Sequence, residues 1–436
     1  MRISRRQMLL GAGALAGAGL GGASLGNRTS AWAESSPFVP EKGARLKLLR
    51  WQRFVKSEDD AFRRLVAAFT VATGVPVDIG SAPNLETSLK AQMIADIGAG
   101  ADLVWSNQAD AHLYPDKLVD LSDVAGHLEG KLGGWYEIAR EYGTHNGRWI
   151  CLPVALTGNA MTYRISWLRA AGFDSFPTNL QDFLLLAQAL KRIGHPMGLS
   201  LGPSITDGNC WTHWLLWQFG AAVFDEANRP TIRSPETLAA LEYARELYPN
   251  FIDGTLTWID TSNNNAFLSG AIACTNNPIS TYAELVAMRH PMADDTDHAV
   301  FPLGPLGKPA ELNVMRPLML FRHTRFPNAA KAFMTFLMER AHYGDYLESA
   351  VGYLSQTLKG YEALPMWTED PKRLVFRDAA ARSRSFAYKG KLGYPAAAIL
   401  SDQIVLQMFA EAASRQTTPE QAIIRADQRI AQYLAT

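Results

Sequence analysis

From about residue 44 the chain alternates short apolar runs with stretches of helical periodicity. Leu46-Lys47-Leu48-Leu49 reads as a buried strand that ends at Arg50-Trp51-Gln52. Phe62, Leu65, Val66 and Phe69 then recur at helical spacing after Ser57-x-x-Asp60, which has the form of a capping box, and Gly74 and Pro76 stop that helix. Val75, Val77 and Ile79 alternate as a second strand, residues 85–97 form a second helical stretch, and Ala101-Asp102-Leu103-Val104-Trp105 is a third strand. This β-α-β-α-β order predicts a parallel sheet with helices on both faces, and ligand groups just past strand ends, near Trp51-Gln52 and Ser106-Asn107-Gln108. The middle of the chain repeats the alternation: residues 149–154 as strand, 179–192 as helix, 197–201 as strand. It reads as a second α/β lobe. Residues 329–338 form an apolar-periodic helix, and Thr418-Pro419-Glu420-Gln421 opens a closing helix with an N-cap threonine and a first-turn proline.

The 436 residues carry a formal charge of +0, with 47% hydrophobic and 19% charged residues, which excludes a disordered chain and suits two domains. No basic excess points to nucleic acid. Ser4-Arg5-Arg6-Gln7-Met8 precedes a Gly/Ala-rich apolar run, and Ala31-Trp32-Ala33 has the small-x-small form of a cleavage site, so residues 1–33 read as a Tat export signal. They hold four arginines and no acid, so removing them leaves 38 basic against 42 acidic residues, a charge of −4. Cys151, Cys210 and Cys274 are too few for a disulfide scaffold, and the sequence leaves open whether any two pair.

Several motifs resemble catalytic chemistry in part. Residues 17–22 satisfy GxGxxG but lie in the export signal, with no strand before them. Gly198-Leu199-Ser200-Leu201-Gly202 matches GxSxG, which makes a serine hydrolase using Ser200 the alternative reading. A nucleophile elbow needs a helix directly after the serine, however, and Gly202-Pro203-Ser204 continues as loop. Asp294-Asp295-Thr296-Asp297-His298 lacks the spaced ligands of a calcium loop, so neither metal nor cofactor is expected. Amides and tryptophans carry more weight: Asp207-Gly208-Asn209 precedes Trp211, Trp214 and Trp217, and Asn263-Asn264-Asn265 and Asn276-Asn277 flank Phe267. Flat aromatic faces and uncharged amides suit a neutral, hydroxyl-rich ligand. Trp214 and Trp217 read as core, whereas Trp51 and Trp211 lie beside polar loop residues.

The order of segments resembles the family-1 extracellular solute-binding proteins of ABC importers, the group that includes maltose-type sugar-binding proteins. The resemblance is carried by residues 60–77, by 101–105 with Leu118-Val119-Asp120-Leu121-Ser122, by Asn146-Gly147-Arg148-Trp149-Ile150-Cys151-Leu152-Pro153, by Tyr163-Arg164, Gly172-Phe173, Pro177-Thr178 and Phe183, by residues 266–273, and by Asn328-Ala329-Ala330-Lys331-Ala332-Phe333. It implies an α/β fold of two lobes, each a mainly parallel sheet with helices on both faces, joined by hinge strands. The expected lobes are 44–154 with about 310–352, and 155–309 with about 353–436. The implied protein is periplasmic and non-catalytic, and it traps a sugar, oligosaccharide or polyol-like ligand and delivers it to a membrane permease. A ligand sensor is an alternative on the same fold. The expected partners are that ligand and the permease transmembrane subunits, with no nucleic acid and with the protein a monomer. By segment position the cleft would be lined by Trp51, Gln52, Asn107, Thr157, Asn159, Asp207, Asn209, Trp211, Asn277, Arg316, Tyr353 and Tyr394. Two departures stand out: Asn313-Val314-Met315-Arg316-Pro317, whose arginine would favour an anionic group on the ligand if it faces the cleft and otherwise pairs with an internal acid, and Gly352-Tyr353-Leu354-Ser355, where relatives commonly place a proline.

Overall fold

The computed structural model describes residues 36–435, so the export signal and the 17–22 glycine pattern lie outside the described residues. The strands are β1 (Leu46–Trp51), β2 (Val77–Ala82), β3 (Leu103–Trp105), β4 (Thr144–His145), β5 (Arg148–Trp149), β6 (Leu152–Thr157), β7 (Ala160–Arg164), β8 (Cys274–Asn277), β9 (Thr296–Ala299) and β10 (Val314–Leu320). They build two main sheets, one in each lobe of the α/β fold.

The first sheet has the order β2-β1-β3-β10-β6, with β1 parallel to β2 and β3, and β10 antiparallel to both its neighbours. Alternation along β1 sorts its side chains to opposite faces. Leu46 and Leu48 join Phe62, Leu65 and Phe69 of the helix Lys56–Thr73, while Leu49 packs with Ala91, Val104 and Met319 beside the helix Asn84–Ile97. Helices on both faces therefore follow from a strand apolar on both sides.

The second sheet has the order β8-β7-β9, and both pairings are antiparallel. Parallel contacts in this lobe come as single bridges, Met197 with Cys274 and with Phe251, and Asn179 with Leu303. In this detail the second lobe departs from a mainly parallel sheet, and residues 197–201 form two bridges, both at Met197, rather than a strand. Trp258 packs closely on this segment: a methyl group on Gly198 would overlap its ring and one on Gly202 its backbone.

Two residues, Gly158 and Asn159, carry the chain from β6 in the first sheet to β7 in the second, and it returns between β9 and β10. The helices Pro327–Met338 and Arg340–Ser349 pack on the first lobe, against Lys56–Thr73. The chain then crosses again, since the helices Ile404–Ala413 and Pro419–Leu434 pack on Pro235–Leu247 of the second lobe.

The expected cap holds at Thr418, and Asn179 caps a second helix. Asn179 accepts from the Asp182 amide at 2.9 Å and Thr418 accepts from the Gln421 amide at 3.3 Å. Ser57 does not cap: the helix starts at Lys56, and the Ser57 hydroxyl donates to the Ser349 carbonyl at 2.6 Å, tethering two helices instead. Cys151, Cys210 and Cys274 are each buried and free. None of the described helices is long and apolar enough to cross a membrane.

Candidate functional site

The carboxyl ends of β1, β2 and β3 point to one edge of the first sheet, the usual ligand edge of an open parallel sheet. Trp51 ends β1, Asn84 follows β2 by two residues, and Asn107 follows β3 by two. Because β10 runs the other way, its start brings Arg316 to the same edge, paired with Ala155 of β6 at an irregularity between Arg316 and Pro317.

Arg316 is 1% exposed, and every neighbour that fixes it is uncharged. Its Nε donates to Thr157 Oγ1 at 2.9 Å, Nη1 to Asn84 Oδ1 at 3.4 Å and to Asn107 Oδ1, and Nη2 to the Tyr353 hydroxyl at 3.4 Å. Asn107 is itself held, donating from Nδ2 to the Asn84 carbonyl at 3.1 Å. Burial lowers the proton affinity of Arg316, an effect that Arg53 adds to and Asp260 opposes.

The facing wall comes from the second lobe. Asp207 starts the helix Asp207–Gln218, and its carboxylate oxygens accept from Asn159 Nδ2 at 2.8 Å and from Asn263 Nδ2 at 3.0 Å. Asn276 Nδ2 donates to Asn159 Oδ1 at 3.1 Å and to the Asp207 carbonyl at 2.9 Å, closing the cluster. Burial, reinforced by nearby Asp260, pushes Asp207 up to about 8, against the lowering effect of the two amides and Arg316. Asp207 is therefore largely protonated at neutral pH. A second triangle lies beside it: Asn277 Nδ2 donates to Asn264 Oδ1 at 2.6 Å, Asn264 Nδ2 to Ser280 Oγ at 3.1 Å, and Ser280 Oγ to Asn277 Oδ1 at 3.3 Å. Asp260 accepts from the Thr206 hydroxyl at 2.7 Å and from Ser204.

Between these walls lies a cavity lined by Phe54, Asn84, Thr206, Asp207, Asp260, Asn264, Asn277, Pro278, Ser280, Val314, Arg316 and Tyr353. Its volume is about 10 Å³, room for roughly one water, so the walls are drawn together. Phe54 also lines a groove of about 650 Å³, which runs between the start of the helix Lys56–Thr73 and the helix Ser280–Ala287. Phe54 is thus the residue that the polar inner chamber and the wider groove share.

Of the residues expected from sequence, Asp207, Asn277, Arg316 and Tyr353 line the cavity. Asn107, Thr157 and Asn159 stand one hydrogen bond behind it. Trp51 lies behind Arg316, whose guanidinium covers its ring. The others do not reach the cavity. Gln52 is exposed, held only by its backbone amide on the Ala82 carbonyl. Asn209 turns inward, donating to the Ile205 carbonyl at 3.3 Å. Trp211 is core: its Nε1 donates to the Ser200 carbonyl at 2.6 Å, and its ring packs edge-on against Phe251 and Phe409. Tyr394 is 46% exposed, on the helix Tyr394–Ser401 that packs against residues 110–113. Sequence reading missed Phe54, Asn84, Thr206, Asp260 and Ser280 as lining residues. The position of Asn84, directly after Ala82-Pro83 at the end of β2, was the available signal.

The catalytic motifs lose their chemistry here. The Ser200 hydroxyl donates to the Trp258 carbonyl at 3.2 Å, with the glycines around it shaped by Trp258 packing, so no elbow forms. Asp295 is engaged by Arg164 at 2.7 Å and by the Ser166 hydroxyl at 2.6 Å, and among the described residues no group of His, Cys, Asp and Glu is placed to hold a metal ion.

Residues 64–375 match the family model of the bacterial extracellular solute-binding proteins. The chain belongs to that family. Among its relatives, the YcjN protein of Escherichia coli (strain K12), named for an ABC-transporter periplasmic-binding role, is 23% identical over 265 residues, 58% of this chain and 59% of the relative. This chain thus spans less than two thirds of that curated relative. Solved structures with the same fold include the maltose-bound MalE3 of T. maritima, with TM-score 0.78 and 19% identity, covering 89% of this chain and 99% of the other. A sugar transporter of Arthrobacter chlorophenolicus A6 with bound laminaribiose gives TM-score 0.78 at 16% identity, covering 89% and 99%. A solute-binding protein of Agrobacterium radiobacter K84 in complex with ribitol gives TM-score 0.74 at 16% identity, covering 89% and 98%.

Proposed function

We propose that this solute-binding family member is the periplasmic binding component of an ABC importer. It captures a sugar, oligosaccharide or polyol-like ligand between its lobes and delivers it, unaltered, to the transmembrane subunits of a permease. The observation that carries this reading is the inner chamber, whose walls come from both lobes and are mostly amides, hydroxyls, carboxyls and one guanidinium, with the rings of Phe54 and Tyr353. Such a lining suits hydroxyls paired with fixed polar groups. A ligand touching both walls gains its full contact only when the lobes are shut, and this differential affinity shifts the open–closed equilibrium. Relatives of the same fold hold maltose, laminaribiose and ribitol, which supports the ligand class.

The lobe bounds expected from sequence shift at two joints: we propose a first lobe of residues 44–157 with about 310–361, and a second that takes residues 160–309 and the closing helices Ile404–Ala413 and Pro419–Leu434. Residues 353–361 lie back on the first lobe through the Ser355–Leu156 and Leu358–Trp135 pairings. Export through the twin-arginine leader and action as a monomer belong to the same reading.

The test is a thermal-shift panel of maltose, laminaribiose, ribitol and monosaccharides on the mature chain, followed by small-angle scattering with the best ligand. A bound ligand should raise the melting temperature in proportion to the logarithm of its concentration and lower the radius of gyration. If no sugar or polyol binds, or if bound ligand is turned over to product, the reading fails.

A further inference from the structure

The basic side of the chamber carries more cation than its own anions answer. Arg50, Arg53 and Arg316 gather round Trp51, with guanidinium carbons 6.0, 3.4 and 4.2 Å from the ring centre. One fully buried carboxylate serves this group: Glu58, which accepts from Arg50 Nη2 at 2.9 Å, pairs with Arg53 Nε at 2.9 Å and also accepts from Tyr346. Asp59 lies 3.9 Å from Arg50 and is partly exposed. Arg53 has a side chain 4% exposed, and its two terminal nitrogens have no hydrogen-bond partner. Arg316 pairs with no carboxylate among the described residues, and two of its four hydrogen bonds are long, at 3.4 Å. A guanidinium has five N–H donors, and these four bonds leave one on Nη2 unused.

A buried cation without an anion is costly, and a fork of donors held open by weak acceptors matches a planar anionic group. On the facing wall Asp260, Asn264 and Ser280 offer oxygens that suit ligand hydroxyls rather than a second negative charge, while Asp207 is taken up by Asn159 and Asn263. The chamber thus carries its cation on one wall, and amides, hydroxyls and Asp260 on the other.

We propose that the ligand is a small acidic sugar or acidic polyol, its carboxylate or phosphate oxygens on Arg316 in the field of Arg53, and its hydroxyls on the Asp260 and Asn264 wall. This rests on the solute-binding reading and narrows its ligand class. The anionic oxygens take the free Nη2 donor and displace the long bonds to Tyr353 and Asn84.

Calorimetric titration of the mature chain with D-galacturonate, D-gluconate and D-glucose 6-phosphate, against D-galactose, sorbitol and maltose, tests it. At least one acid should bind tenfold or more tightly than its neutral counterpart, and carboxylate against phosphate is read directly from which acid wins. R316Q should lower acid affinity about 10- to 100-fold, the range of a lost hydrogen bond to a charged group, and by more than it lowers affinity for the neutral counterpart. If R316Q does not fold, R316K keeps the charge without the planar fork and should still lose most of the preference. Neutral sugars binding as well as or better than every acid would overturn the anionic class while leaving the solute-binding reading intact. An acid preference that survives in the Arg316 variant would overturn the assignment to that residue. Binding of none of these compounds would overturn both.

Discussion

The guanidinium of Arg316 lies over the indole of Trp51, 4.2 Å from the ring centre, and the Trp51 ring in turn meets Trp105 edge-on at 5.3 Å. Trp51 is fully buried, so it acts as the floor on which the arginine rests and not as a surface for ligand. Trp51→Ala should cost roughly 3–5 kcal/mol, the range for emptying a buried aromatic site, as measured by urea unfolding. A loss below about 1 kcal/mol would show that the ring is not buried support.

Asp207 sets a pH dependence. Its value of about 8 in the fold stands well above the ordinary 3.8, so between these values the folded protein holds a proton that the unfolded chain releases. Its contribution to stability is full below about pH 4 and declines as the pH rises through 8. The groups that face it are Asn159, Asn263, Asp260 and Arg316. Asp207→Asn keeps the shape and removes the titration, so its melting temperature should fall less between pH 5 and 8 than that of the unsubstituted protein. Parallel pH profiles for the two proteins would refute the assignment.

Glu58 holds two arginines and Tyr346. Glu58→Ala leaves those charges buried with little compensation and should destabilise by roughly 3–5 kcal/mol in denaturant titration. A small effect would mean that solvent reaches the arginines.

The GxSxG segment separates packing from chemistry. Gly202→Ala forces a methyl into the Trp258 backbone and should cost about 1–3 kcal/mol, the usual range for overpacking. Ser200→Ala removes only a hydroxyl bonded to the Trp258 carbonyl and should leave ligand affinity within about twofold. Affinity lost with Ser200 and not with Gly202 would reverse this assignment.

Much of the first lobe was legible because its strands and helices announce themselves by periodicity. Leu46, Leu48, Phe62 and Phe69 form the expected core, and the strand-end rule led to Asn107. Thr418 caps as its spacing predicts. The inner chamber was legible only in part, because a local pattern does not tell which side of a helix faces the partner lobe. Trp211 and Asn209 lie on the same short helix as Asp207, yet only Asp207 turns to the cavity. Phe54, Asp260 and Ser280 sit in turns or at helix starts whose direction depends on contacts far along the chain. The 197–201 run reads as a strand because Met197, Leu199 and Leu201 alternate into the main core, yet its pairing stops at the bridges of Met197.

The position of β10 between β3 and β6 has a consequence for the order in which this protein is completed during synthesis. Both neighbours leave the ribosome more than a hundred residues before Leu320 does, and until then each presents an open inner edge. The half that is made first is therefore among the last to be finished. A nascent chain halted before β10 should expose that gap to any strand, or any chaperone, that reaches it.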